Sequence, residues 1–277
     1  MKKTAVVVQK RLEEVEKKEK KWVENALKND KKAWYEQFTS KIPKMVVNNL
    51  QLAFGKGFEL LFVNGTGIMN KICPKEGLAQ DFDINNYAFE VKGTKKSLKK
   101  VAAPARNSQR ANMALTAAEG FGMGITGMGI PDIPVFLGLL LRGVYEIAAT
   151  FGIDYNNQDE KYFILLLMET VVLHGNDKVA ANQAVDGYMN QLLSGEVKPY
   201  NFKEQLRKTA NAYATDTLFL KFVQGAPIIG LVGGLYNPVY YKRLSDYARL
   251  KYEKRYLLGK TIELKKAQAE KAGRKEA

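Results

Sequence analysis

Sulfur and imidazole are almost missing from this chain: 277 residues hold one cysteine, Cys73, and one histidine, His174. A lone cysteine excludes an internal disulfide and a multi-cysteine zinc site, and it fits a reducing compartment. A metal centre would have to be built almost wholly from carboxylates, and the acidic residues show no calcium-loop spacing. No metal and no cofactor is therefore expected. Strand alternation is also lacking, since residues 5–8 and 88–91 are too short to build a sheet. Residues 1–10 offer only that first short apolar run, too little for a secretory signal core, so the chain is expected to stay in the cytoplasm. No serine stands in a nucleophile-elbow context, and Cys73 and His174 have no spacing that forces them together. No internal repeat is visible.

What is present in excess is positive charge. The net charge is +14, placed in three blocks: about +6 over residues 1–44, about +7 over 92–118 and about +7 over 242–277, with the remainder mildly acidic. Such blocks suit an anionic partner, either phospholipid headgroups, at about 1 kcal/mol per nearby Lys or Arg, or nucleic acid phosphates. The plain alternative is a set of solvated helix faces. No helix-turn-helix, RRM or KH pattern accompanies the charge, so nucleic acid is not the expected partner.

Helical periodicity and its stop signals run through the chain. Residues 5–39 read as a charged helix with a thin stripe of Leu12, Val15, Trp22, Val23 and Leu27. After Ile42-Pro43, residues 46–62 form a more apolar helix. Residues 71–91 suggest a short helix between loops, and 92–100 a basic connector or short helix ended by Pro104. Asp132 can cap a helix to Phe151, with Gly152 at its stop. Asn157 with Glu160, and Asn201 with Glu204, make capping-box signatures before two further helices, with Asp177 opening another between them. The segment 260–277 is a helix extension or a disordered end. The expected fold is all-α: one compact multi-helix domain with a glycine- and proline-rich apolar hairpin and a charged N-terminal helical extension. Its regions are 1–104, a core over 105–258, and a charged tail over 259–277.

Three stretches carry most of the functional signal. Residues 111–130 are rich in Gly and Ala, with Glu119 as the one acid, and contain the string G-x-G-x-x-G at Gly122, Gly124 and Gly127. That string needs a buried strand before it and a helix after it, and neither context exists here. Gly120 and Gly124 fit a close helix contact instead. Residues 132–151 are nearly long enough to span a bilayer, but Arg142 falls at the middle, at a cost of roughly 2.5–3.5 kcal/mol. A pair between Arg142 and Glu146, one turn apart, reads better as buried or interfacial. Residues 222–241 hold no formal charge, while their glycines and prolines favour a re-entrant hairpin or a buried bend over a straight span. The helix beyond sets Tyr240, Leu244, Tyr247 and Leu250 on one stripe beside Lys242, Arg243, Arg249, Lys251, Lys254 and Arg255. That combination suits a headgroup zone, or alternatively a surface helix packed on the core.

Gly129-Ile130-Pro131-Asp132-Ile133-Pro134, Leu140-Leu141-Arg142, Glu146-Ile147-Ala148 and Phe151-Gly152-Ile153-Asp154 resemble the pattern of the EcsC family, bacterial proteins first known beside the Ecs ABC transporter. Ala226-Pro227-Ile228-Ile229-Gly230, Gly233-Gly234, Asn237, Tyr247-Ala248, Tyr252, Arg255 and Leu257 extend it, so it covers roughly residues 110–258, with a looser match before. The resemblance implies a membrane-associated helical protein and carries over no catalytic residues. Asp132, Arg142, Glu146, Asn237 and Arg255 match the pattern, and with Glu119 they are the candidates for a shared structural or ligand site. Candidates for membrane contact are Ile228, Ile229, Leu231, Val232, Tyr236, Tyr240, Tyr241, Lys242 and Arg243.

The expected function is that of an accessory or interaction protein at the inner face of the cell membrane, peripheral or shallowly inserted, whose basic ends hold anionic lipid while its glycine-rich apolar elements either insert shallowly or dock on a membrane partner. An ABC transporter is the partner class the resemblance implies. The alternative is an enzyme acting on lipid or peptide at that surface through carboxylates such as Asp132, Glu119 or Glu146.

Overall fold

Val8, Leu12, Val15, Glu19 and Trp22 follow the three-then-four spacing that keeps residues on one side of a helix, and this line is the inward face of α1 (Lys2–Lys28). The structure is a computed structural model and describes residues 2–28, 42–64, 75–105, 132–223 and 236–276. Its further helices are α2 (Lys44–Glu59, continued by a wide turn at Leu60–Asn64), α3 (Lys75–Lys92), α4 (95–105), α5 (Asp132–Thr150), α6 (Gln158–Val172), α7 (Gly175–Ser194), α8 (Phe202–Val223) and α9 (Tyr236–Glu276). No strand occurs among the described residues. The fold is all-α.

The inner helices are α5 and α6. Phe163 through Met168 is apolar all round and buried throughout, the pattern of a helix enclosed on every side. α2 brings Phe54 and Phe58 against Phe136 of α5 and Tyr213 of α8. α9 lies on α5 so closely that a β-carbon added at Gly143 would stand 2.6 Å from the Tyr241 ring. Glycine at 143 is what lets the two helices meet there, and burying one ring of this kind contributes about 1.5–3 kcal/mol.

The first and last helices are joined by charge. Arg11 bonds Glu253 at 2.6–2.7 Å, and Glu19 takes both Lys251 and Lys254, which also reach Asp186 of α7. Trp22 stacks on Tyr247 at 4.5 Å, next to these pairs. Helices α1 and α2 thus share packing with the helices of the 105–258 region.

Several expectations change in detail. Leu27, placed in the α1 stripe, is exposed, because the stripe runs through Glu19 and Trp22 instead. Residues 75–92 make one helix longer than expected, and the break to α4 comes at Gly93, whose φ is 57°. α5 stops at Gly152, whose φ of 72° places it in the left-handed region glycine favours. Asn157 and Asn201 do cap α6 and α8, accepting from the Asp159 and Glu204 amides. The glutamates do not close the boxes: Glu160 turns inward to Tyr252 and Arg255, and Glu204 pairs with Lys208. The 259–277 region continues α9 as helix to Glu276.

Candidate functional site: a cationic cleft beside the ends of α5, α8 and α9

The first turns of α5 and α9 and the last turns of α8 converge. Phe136 lies 5.5 Å from Tyr240 and 6.4 Å from Tyr213, and the Thr217 and Tyr240 hydroxyls are 3.3 Å apart. These helix ends border the two glycine-rich stretches of the sequence, of which 224–235 holds no formal charge and 106–131 holds Arg106, Arg110 and Glu119. α5 follows residues 106–131, and α8 and α9 flank residues 224–235. The attachment points of both stretches therefore stand side by side.

Beside this junction lies a cleft of about 500 Å³, lined by Trp22, Val171, His174, Lys178, Lys242 and Arg243 among others. Behind this lining lies Asp216, wholly buried, which shares a 2.7 Å hydrogen bond with His174 Nε2. The second Asp216 oxygen lies 3.6 Å from Arg243 Nη1. Lys178 enters from α7. Its Nζ donates to the Val171 carbonyl at 3.1 Å and stands 4.9 Å above the Trp22 ring, yet none of the ion pairs among the described residues includes it. Burial and the Arg243 guanidinium outweigh the attraction of Asp216 and push this ammonium down to about 8. A half-buried cation held by a carbonyl and a ring face, without a carboxylate, favours an incoming anion. The N-terminus of α7 opens beside the same cleft, where His174 is the N-cap residue and gives that turn no side-chain hydrogen bond. Helix N-termini attract anions for the same reason.

Away from the cleft, several buried ionic groups are paired with each other. Arg142 Nε donates to Glu146 at 2.9 Å, with Glu146 buried on α5. Arg255 reaches Glu160 at 2.6 Å, and the Tyr252 hydroxyl donates to the other oxygen of that carboxylate. The second arrangement ties α6 to α9, the first lies within α5, and Glu146 and Arg255 are spent on them.

The structure separates the sequence-predicted site residues rather than gathering them. Arg142 and Glu146 form one pair on α5, and Arg255 belongs to a different cluster with Glu160. Asp132 and Asn237 lie in the first turns of α5 and α9, near the junction, with their side chains outside the described residues, as is Glu119 altogether. Among the membrane-contact candidates, Ile228, Ile229, Leu231 and Val232 and the side chain of Tyr236 also lie outside the described residues. Tyr240 and Tyr241 need correcting: both are buried, Tyr240 against Phe136 and Tyr213 and Tyr241 over Gly143, so neither ring reaches a headgroup zone. Tyr247, Lys251, Lys254 and Arg255 face inward as well, because α9 packs on α1, α6 and α7 along this length. Lys242 is exposed and Arg243 partly so.

Sequence reasoning missed His174, Lys178 and Asp216. Their one shared signal was Asp216 itself, an acid among Tyr213, Ala214, Leu218 and Phe219 on the apolar side of α8. A helix that carries a carboxylate on its buried face needs a partner for it. α5 is long and apolar enough to cross a membrane by length and composition, with mean hydropathy 1.5 over Ile133–Thr150, but 72% of that window is buried within the fold, as befits a core helix.

Fold and site together define an all-helical, strongly basic protein with an anion-suited cleft at one helical junction. The model of the EcsC protein family matches residues 7–257, and the chain belongs to that family. No curated protein and no solved structure matches the chain.

Proposed function

We propose that this protein is an accessory protein of the cytoplasmic membrane face, which docks on anionic lipid through the end of the bundle where α5, α8 and α9 meet and presents its remaining surface to a membrane partner such as an ABC transporter. The observation that supports the reading is the convergence at Phe136, Tyr240 and Thr217, beside the attachment points of two glycine-rich, largely apolar sequences. Two such stretches at one end can enter the lipid together, whereas at opposite ends they could not. Lys242 and Arg243 stand at the same end, and each Lys or Arg near an anionic bilayer adds about 1 kcal/mol. The exposed lysines of α4, Lys95, Lys96, Lys99 and Lys100, supply a second cationic patch for the surface or the partner.

Liposome flotation tests this. The full chain is expected to float with phosphatidylglycerol-rich vesicles at low salt and to stay behind with phosphatidylcholine vesicles. The double substitution Ile228→Asp/Ile229→Asp should abolish flotation while far-UV circular dichroism stays unchanged. Wild-type protein that fails to float with the anionic vesicles would end the proposal.

A further inference from the structure

We infer that the cleft formed by Trp22, His174, Lys178, Lys242 and Arg243 is a binding site for a phosphate group, and that its source is the headgroup of an anionic phospholipid; this second step rests on the membrane reading above. The chemistry comes from the cleft. Lys178 is a half-buried ammonium without an ionic partner among the described residues, in a cavity of about 500 Å³, large enough for a headgroup. The charges lining the cavity are Lys178, Lys242 and Arg243 against Asp246, with Asp216 buried behind His174 and Arg243 and Arg249 a further 3.6 Å partner of Asp246. Both carboxylates are already engaged by side chains, Asp216 by His174 and Asp246 by Lys242 at 2.6 Å. What stays available to a ligand is therefore cationic.

Apart from Asn25, the remaining lining, which includes Val171, Leu173, Val239 and the Trp22 ring, is apolar and suits the carbon skeleton next to a phosphate. Val239 and Lys242, both exposed, lie within the first two turns of α9, next to the uncharged stretch before Tyr236. A headgroup seated in the cleft would thus extend its chains toward the segment proposed to meet the lipid. Trp and Lys side by side also suit this depth, where a ring sits at headgroup level and a lysine snorkels.

The test uses the full chain in a Trp34→Phe background, which leaves Trp22 as the fluorescent reporter because the protein has two tryptophans. Inorganic phosphate and short-chain dihexanoyl phosphatidylglycerol below its micellar concentration are titrated into this protein, and into the same protein carrying Lys178→Met or Arg243→Met. Calorimetry accompanies the fluorescence. Expected is saturable quenching of Trp22 by the short-chain lipid, weakened at least tenfold in each variant, with circular dichroism confirming the fold. Binding of both probes, lost in both variants, supports the phosphate site and its lipid source. Saturation by inorganic phosphate but not by the lipid keeps the phosphate site and overturns the lipid source. Absence of binding by either probe, or equal binding by wild type and variants, overturns the site. Vesicle flotation is measured in parallel: if it persists unchanged while the cleft binds nothing, the membrane reading stands and this inference alone falls.

Discussion

Removing the carboxylate of Glu19 should cost the protein far more than a helix-surface glutamate would. Glu19 lies on the buried line of α1 and accepts from Lys251, which is wholly buried, and from Lys254 at 2.6 Å. Burial by itself would raise its pKa, but the two ammonium groups outweigh that and hold it at about 2, against an ordinary 4.5. A shift of that size corresponds to about 3 kcal/mol of stability, since one pKa unit is worth about 1.4 kcal/mol. Because the folded pKa lies below the unfolded one, the stabilisation is complete above about pH 4.5 and is lost as the pH falls toward 2. Glu19→Gln removes this term and leaves Lys251 facing Asp186 alone, so the loss at pH 7 should be about 3–5 kcal/mol. Against a total stability of about 5–15 kcal/mol, that is a large fraction. Urea unfolding followed by circular dichroism, at pH 7 and at steps from 5 to 2.5, measures both quantities. Wild type should lose stability across that range more steeply than Glu19→Gln, and Glu24→Gln, at an exposed position on the same helix, should behave as wild type. Replacing both partners, Glu19→Leu with Lys251→Met, should recover much of the loss, because no orphaned charge remains. A loss below 1 kcal/mol for Glu19→Gln, or parallel acid curves for it and wild type, would refute the account of a buried, mutually dependent cluster.

Lys178→Met should stabilise the protein in the absence of ligand. The lysine's folded pKa of about 8 lies below its ordinary 10.5, so the charged form is penalised at neutral pH and the penalty is relieved as pH rises from 8 to 10.5. Wild type should therefore gain on the variant over that window, with a difference on the order of 1–3 kcal/mol at pH 7, read from urea midpoints. Gly143→Ala should drive the Tyr241 ring off α5 and cost about 1–3 kcal/mol, seen as a lower melting temperature, while Gly138→Ala, which meets open space, should be neutral or slightly stabilising. Arg255→Met leaves the Glu160 carboxylate buried with Tyr252 as its remaining described donor, and should cost about 3–5 kcal/mol in urea unfolding. Adding Glu160→Gln to it should recover part of that loss.

The helices were largely legible because their punctuation is local. Asn157 and Asn201 cap, Gly152 and Gly195 terminate, and each acts through residues a few positions away. The inward cations of α9 were not legible, because Lys251, Lys254 and Arg255 look like a solvated face until α1, α6 and α7 bring Glu19, Glu160 and Asp186 to them. The same applies to Glu160, whose spacing from Asn157 matches a capping box although its carboxylate serves α9. The cleft needed more than spacing: His174 and Asp216 stand 42 positions apart and belong to different helices. A residue pattern reports which side of a helix is apolar, but not which charge the opposing helix will bring.

Because Arg11 and Glu19 find their partners 232 to 242 positions later in the chain, α1 completes its packing only once α9 has been made. Until residues 251–254 have been made, the Glu19 carboxylate on the inner line of α1 lacks both of the ammonium groups that hold it. A chain cut short before that point is not a smaller version of this protein: it is one whose α1 has lost part of its seat, far along the sequence from the missing residues.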